Sequence, residues 1–382
     1  MPMTKLQFRP GINRETTSYT NEGGWFDCDK IRFRYGVPEK IGGWFKISGN
    51  TFQGTCRALH PWVVLDGTQF SGVGTHLKYY IEEGGAYYDV TPLRLTTGAG
   101  DVTFSASNGS AVITASDTDH GAVQGDFVTF TGAATLGGNI TADVLNQEYE
   151  ITEIVNANSY KFTATATANS SDTGNGGGST VGKYQINIGL DSSVGGSGWG
   201  AGTWGRGTWG SSSSLLASGA TLRLWSHDNF GEDLLMNVRD GGIYYWDRSD
   251  SSSSFVRAVA LSDESSDAKT PTVAKQILVS DVDRHVIAFG CDPETAIGTQ
   301  DPLLIRFSDQ ESLTTWTTTS TNTAGSLRVG SGSEIICAVE TKQQIIVFTD
   351  VSLHTMQFLG PPFTFGIRQI SGNTTIMSPM AA

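Results

Sequence analysis

Residues 234–247 read "LLMNVRDGGIYYWD" and residues 77–90 read "LKYYIEEGGAYYDV". Each is an apolar run, a tight turn ending in two glycines, and an aromatic run. The turns are Arg239-Asp240-Gly241-Gly242 and Glu82-Glu83-Gly84-Gly85. Acidic and glycine residues between two alternating apolar runs are the signal of a two-stranded hairpin.

Working outward, each hairpin belongs to a longer cassette of strands. Residues 56–92 form the first ("CRALHPWVVLDG" and "TQFSGVGTHLKYYIEEGGAYYDVTP") and residues 222–250 the second ("LRLWSHDNFGEDLLMNVRDGGIYYWDRSD"). A third runs over 275–317, from "KQILVSDVDRHVIAFG" through "PLLIRFSDQESLTTWT", and a fourth over 333–360, "SEIICAVETKQQIIVFTDVSLHTMQFLG". An isolated antiparallel meander has one apolar face that it cannot bury alone. Radial arrangement of several such sheets solves this and leaves only short edges. The repeat therefore predicts an all-β chain built as a β-propeller-like ring of antiparallel meanders rather than a sandwich.

Composition agrees. The 382 residues include 47 Gly, are 10% aromatic and only 16% charged, as expected of short strands and turns. No apolar run approaches the roughly 18 residues of a membrane span, so a soluble chain is expected. The start, "MPMTKLQFRPGINRETTSYT", shows no signal peptide or lipid anchor and predicts a protein that stays where it is made. Cys28, Cys56, Cys291 and Cys337 form no CxxC pair and read as isolated, buried thiols in a reducing compartment. A net charge of −13 opposes general adhesion to nucleic acid, while suiting a wall that DNA slides past.

Five segments follow from texture. Residues 1–55 are an N-terminal arm and hairpin, and 56–97 the first cassette. Residues 98–184 are an inserted small β-barrel or sandwich domain with a Gly-rich linker, "NSSDTGNGGGST". Residues 185–212 are a Gly-Trp loop, and 213–382 the remaining cassettes. In the first hairpin Gly36-Val37-Pro38 is read as the turn, with Ile31, Phe33 and Tyr35 on one face and Arg32 and Arg34 on the other. The two arginines are interface candidates on what is by default a solvated face.

Motifs of chemistry are near misses. "GWGAGTWGRGTWG" (198–210) twice spells GxGxxG, but no strand precedes it and no helix follows to hold a pyrophosphate. Trp199, Trp204 and Trp209 recur there every five residues. They either fold back on their own sheet or seal a contact between subunits. "GGSTVGK" (177–183) lacks the Ser or Thr of a P-loop, and "SDQESLTTW" (308–316) lacks the spacing and glycine of an Asp box. No GxSxG elbow or HExxH motif accompanies the six histidines, His60, His76, His120, His227, His285 and His354. No catalytic residue, cofactor or metal site is expected.

Together, "PGINRETTSYTNEGGWFDCDKIRFRYGVPEKIGGW", "LLMNVRDGGIYYWD", "RFSDQESLTTWT", "NTAGSLRVGSGSEIICAVE" and "IIVFTDVSLHTMQFLGPPFTFGIRQIS" resemble the tail hub, or nozzle, of short-tailed bacteriophages, including packaged-DNA stabilisation proteins. The resemblance covers about three quarters of the chain. It implies a virion tail protein, made in the bacterial cytoplasm, that forms a ring of six copies below the portal and adaptor. It further implies contact with tail fibre or needle proteins, and a channel through which viral DNA passes without sequence-specific binding. Two departures are chain length and cassette number. Such proteins usually continue beyond "SGNTTIMSPMAA", and four cassettes are few to close a ring unless the hairpin or a second polypeptide contributes. Two other readings are a carbohydrate-binding or glycan-hydrolysing propeller, with tryptophans as sugar platforms, and a soluble scaffold propeller in a cell.

Overall fold

The computed structural model describes residues 9–17, 19–43, 45–46, 48–187, 189, 222–250, 255–360 and 363–381. It divides into two compact units, Met1–Asn50 and Thr51–Ala382.

In the first unit, β1 (Ile31–Arg34) and β2 (Val37–Lys40) pair antiparallel with Arg34 opposite Val37. The turn is therefore Tyr35-Gly36, one step earlier than expected. Both residues are left-handed (φ 51° and 80°), the conformation that matches strand twist in a two-residue hairpin. Pro38 lies in β2 instead.

The second unit contains four four-stranded antiparallel sheets, each of consecutive strands. The first is β3 (Cys56–Val63), β4 (Gln69–Thr75), β5 (Tyr79–Glu83) and β6 (Ala86–Asp89). Gly84 and Gly85 close its last hairpin at φ 57° and 91°, which is why glycine stands there twice.

The insert follows, as β7 (Leu93–Thr96), β8 (Thr103–Ala106), β9 (Val112–Ser116), β10 (Phe127–Thr131), the single turn α1 (Ala142–Leu145), β11 (Glu148–Asn156), β12 (Ser159–Thr163), β13 (Asp172–Asn175) and β14 (Val181–Gln185). These eight strands form one sheet in the order β13-β8-β9-β12-β11-β10-β14-β7. The sheet wraps a single core that includes Phe104, Ile113, Phe130, Ile151, Phe162 and Tyr184. Its ends β13 and β7 do not pair, so of the expected barrel or sandwich the insert takes neither closed form but one open, wrapped sheet. Residues 172–175, expected as linker, pair with β8, and Leu93–Thr96, assigned to the first cassette, pairs with β14. Composition misread both because backbone pairing, rather than apolar content, holds these edge strands.

The remaining three sheets are β15 (Trp225–Phe230) to β16 (Asp233–Val238), β17 (Ile243–Trp246) and β18 (Val259–Ala260), then β19 (Gln276–Val279), β20 (Val286–Phe289), β21 (Leu304–Phe307) and β22 (Gly325–Arg328), then β23 (Ile335–Glu340), β24 (Ile345–Thr349), β25 (Leu353–Phe358) and β26 (Phe365–Ser371). A second short turn, α2 (Leu261–Glu264), follows β18.

Neighbouring sheets meet through their first strands: β3 on β15, β15 on β19, and β19 on β23. Three apolar clusters fill the joints. Trp62, Phe70, Trp225 and Trp246 lie in the first, Leu235, Ile277, Val286 and Trp316 in the second, and Ile287, Phe289, Ile335 and Val347 in the third. Burial of both faces of the middle sheets explains why "VIAF" and "LIRF" are continuously buried rather than alternating. The result is four propeller-like blades in sequence, with β3, β15, β19 and β23 as their adjoining edges.

Candidate functional site: the adjoining first strands

The first strands carry polar groups where a packed core would have none. At the first joint, the His60 and His227 rings lie 4.8 Å apart. Burial, aided by His60, carries His227 down to about 3, so its ring is neutral at physiological pH. Its Nδ1 meets the Tyr79 hydroxyl at 2.9 Å, and His60 Nε2 meets Asn229 Oδ1 at 2.6 Å. Both histidines are hydrogen-bonded at the seam between the first two blades.

The next two joints are acidic. Asp228 on β15 accepts the Val279 amide at 2.7 Å, and Glu340 at the end of β23 accepts the Asp281 amide at 3.0 Å. Burial raises the Asp228 carboxyl; the amides of Val279 and Asn229 and the His60 ring oppose it, and the charge of Asp281 adds to the rise. Burial also raises Glu340. The Asp281 amide opposes this, while the charges of Asp281, Asp228 and Asp283 push further up. Four carboxyls from three blades thus converge. A raised carboxyl destabilises the fold once ionised, because the folded state must hold a charge that the unfolded chain holds more easily. The placement of Asp228, Asp283 and Glu340 is therefore not explained by stability. What they supply is a negative field along one end of the adjoining strands. Among the described residues no group of three His, Cys, Asp or Glu is arranged to hold a metal.

The sequence-derived candidates are scattered. Trp199, Trp204 and Trp209 lie outside the described residues. Arg32 pairs across its hairpin with Glu39 at 3.1 Å, and the Arg34 guanidinium lies 5.5 Å from the Tyr35 ring centre, so both have intrahairpin partners. Cys291 and Cys337 are buried as expected, and burial pushes Cys291 up to about 12. Cys28 and Cys56 are half-exposed, against expectation.

Sequence reasoning missed Asp228, Asp281, Asp283 and Glu340. The DxD of "SDVDR" was a local hint, but the carboxylate that its Asp281 amide meets, Glu340, lies 59 residues away.

The Asp-box-like loop 308–316 has a structural role. Trp316 is buried, and the amides of Trp316 and Thr317 donate to Asp267 Oδ2 at 2.8 and 2.7 Å. Burial would raise Asp267, but the Thr317 hydroxyl and the amides of Lys269, Trp316 and Thr317 bring it down to about 2. Asp267→Asn is expected to cost ~1–3 kcal/mol in urea unfolding at neutral pH. Because the folded pKa lies below the unfolded one, the carboxylate's contribution is present above about pH 4 and lost as pH falls towards 2. The gap between wild type and variant should therefore narrow over that window. A gap independent of pH would show that the carboxylate charge is not what holds the loop.

No family model and no curated protein matches this chain. Among solved structures, the phage phi92 endosialidase aligns with 84% of this chain and 44% of its own, at 13% identity and a TM-score of 0.24. The chain thus spans less than half the length of that protein. A superposition of this quality carries no argument.

Proposed function

We propose that this chain is a structural subunit of a bacteriophage tail, the nozzle ring below the portal and adaptor that retains the genome and lets it leave. The observation that carries the reading is the meeting of acids from three blades at one end of the adjoining first strands, where Asp228 accepts the Val279 amide at 2.7 Å and Glu340 accepts the Asp281 amide at 3.0 Å. DNA presents one phosphate charge per ~1.7 Å of axis, so a carboxylate-lined edge repels it and guides without adhesion. The phage-nozzle phrases of the sequence point the same way. In this reading six copies encircle the channel, with fibre or needle proteins on the outside. Catalysis has no part in it.

Electron microscopy of the purified full chain, or of particles containing it, tests the reading. A closed ring with a bore of about 20 Å or more, wide enough for duplex DNA, is expected. A solitary molecule that binds or cleaves glycans would overturn it. A second test uses Glu340→Gln combined with Asp281→Asn. Burial and the charges of Asp281, Asp228 and Asp283 raise the Glu340 carboxyl, so neutralising it together with Asp281 should leave thermal stability unchanged or higher at pH 7. Particles carrying the pair should release DNA more slowly at low salt. Loss of folding instead would make the acids structural and remove the main support for the conduit.

A further inference from the structure

Arg94, Arg223 and Arg239 line one cavity of about 590 Å³ where the insert meets the second blade. Elsewhere the more deeply set arginines stand near acids: Arg257 lies 3.1 Å from Asp89, Arg248 3.8 Å from Asp66, and Arg306 3.9 Å from Glu294. The three cavity arginines have no such ion pair among the described residues. Their side-chain hydrogen bonds go to backbone carbonyls: Arg94 to His120 at 3.0 Å, Arg223 to Leu77 at 3.4 Å, and Arg239 to Ile336 at 2.8 Å.

Arg223 is the most constrained. It is 6% exposed, and its Nε has no hydrogen-bond partner, as is true of Arg94 Nε. Burial, with Arg57 adding a like charge, lowers Arg223 to about 10 against the opposing influence of Tyr244 and Asp126. A desolvated cation without an anion is unfavourable, and a chain of net charge −13 has carboxylates to spare. Two acids do border the cavity. Asp240 is held by Lys275 at 2.9 Å and Gln300 at 3.1 Å, and Asp263 is exposed at the rim. The lining is completed by Asn187 and Tyr244 as further polar groups, and by apolar Leu93, Ile186 and Val238.

We propose that this cavity binds a phosphate group, supplied by free phosphate or a small phosphate ester, through Arg94, Arg223 and Arg239. The planar fork of a guanidinium matches phosphate oxygens bidentately. The negative field of the whole chain would disfavour such a ligand, so local geometry must supply the affinity.

Isothermal titration of the full chain with inorganic phosphate, at constant ionic strength set by chloride, tests this. A saturable isotherm with about one site per chain is expected. Arg239→Gln and Arg94→Gln, each checked for folding by circular dichroism, should weaken binding about tenfold or more, the loss of one charge-assisted pair. These replace Arg223, whose removal could disturb the joint itself. Tighter binding of ribose 5-phosphate than of phosphate would assign the site to an ester, and equal binding to the free ion. No saturable binding of either probe, or binding unaffected by both variants, would overturn the proposal.

Discussion

Trp225→Ala is expected to lower unfolding free energy by ~3–5 kcal/mol, with the first two blades separating before the others. Trp225 is 1% exposed, packs edge-on to Tyr79 with centroids 4.9 Å apart, and donates its Nε1 proton to the Thr75 carbonyl at 2.7 Å. The truncation therefore empties the centre of the joint and orphans a buried carbonyl. Gly74 provides an independent check from the other side. A Cβ there would stand 2.7 Å from Trp225 Cδ1, so Gly74→Ala must displace the ring, at a cost of ~1–3 kcal/mol. Urea unfolding followed by tryptophan fluorescence measures both. A Trp225→Ala loss below about 1 kcal/mol would mean that the blades are held together elsewhere.

Lys78→Met should be comparably damaging, by ~3–5 kcal/mol at pH 7, because it removes one partner of a buried charge network. The ammonium is 2% exposed and lies 2.9 Å from Asp89 and 2.5 Å from Glu148, with the Phe127 ring 4.7 Å away. Arg257 reaches the same carboxylates at 3.1 and 3.4 Å, and Gln185 donates to Glu148. Blade, insert and the segment before α2 are thus joined by charges that must all be present. Neutralising the acids at the same time, as Lys78→Met with Asp89→Asn and Glu148→Gln, should recover much of the loss. Burial would raise Asp89, but Arg257 and Lys78 outweigh it and hold the carboxyl below its usual range. A depressed carboxyl stabilises above its unfolded pKa and ceases to as pH falls through the folded value. The wild-type advantage over the neutral triple variant should accordingly shrink below about pH 4. If the single variant is no less stable than the triple, the network is not coupled.

Much of the blade architecture was legible in the chain. "LKYYIEEGGAYYDV" and "LLMNVRDGGIYYWD" carry both the strand alternation and the turn glycines, and both became hairpins. The insert was legible as β but not as to closure. Its strand order brings β8 beside β13 and β7 beside β14, pairings whose partners lie 66 to 92 residues apart and which leave no local mark. "NSSDTGNGGGST" misled because an edge strand held by backbone bonds needs no apolar side chains.

The sequence by itself determined what depends on neighbours along the chain: all-β character, four consecutive meanders, and hairpin turns. Residue period and glycine placement are local, and a polypeptide cannot avoid expressing them. Tertiary structure alone decided which charges meet. It brought Asp228, Asp281 and Glu340 together from three blades, locked Lys78 between two carboxylates, and left three arginines around one cavity without an ion pair among the described residues. Electrostatic energy depends on distance and burial in space, and neither is written in the spacing of residues along the chain.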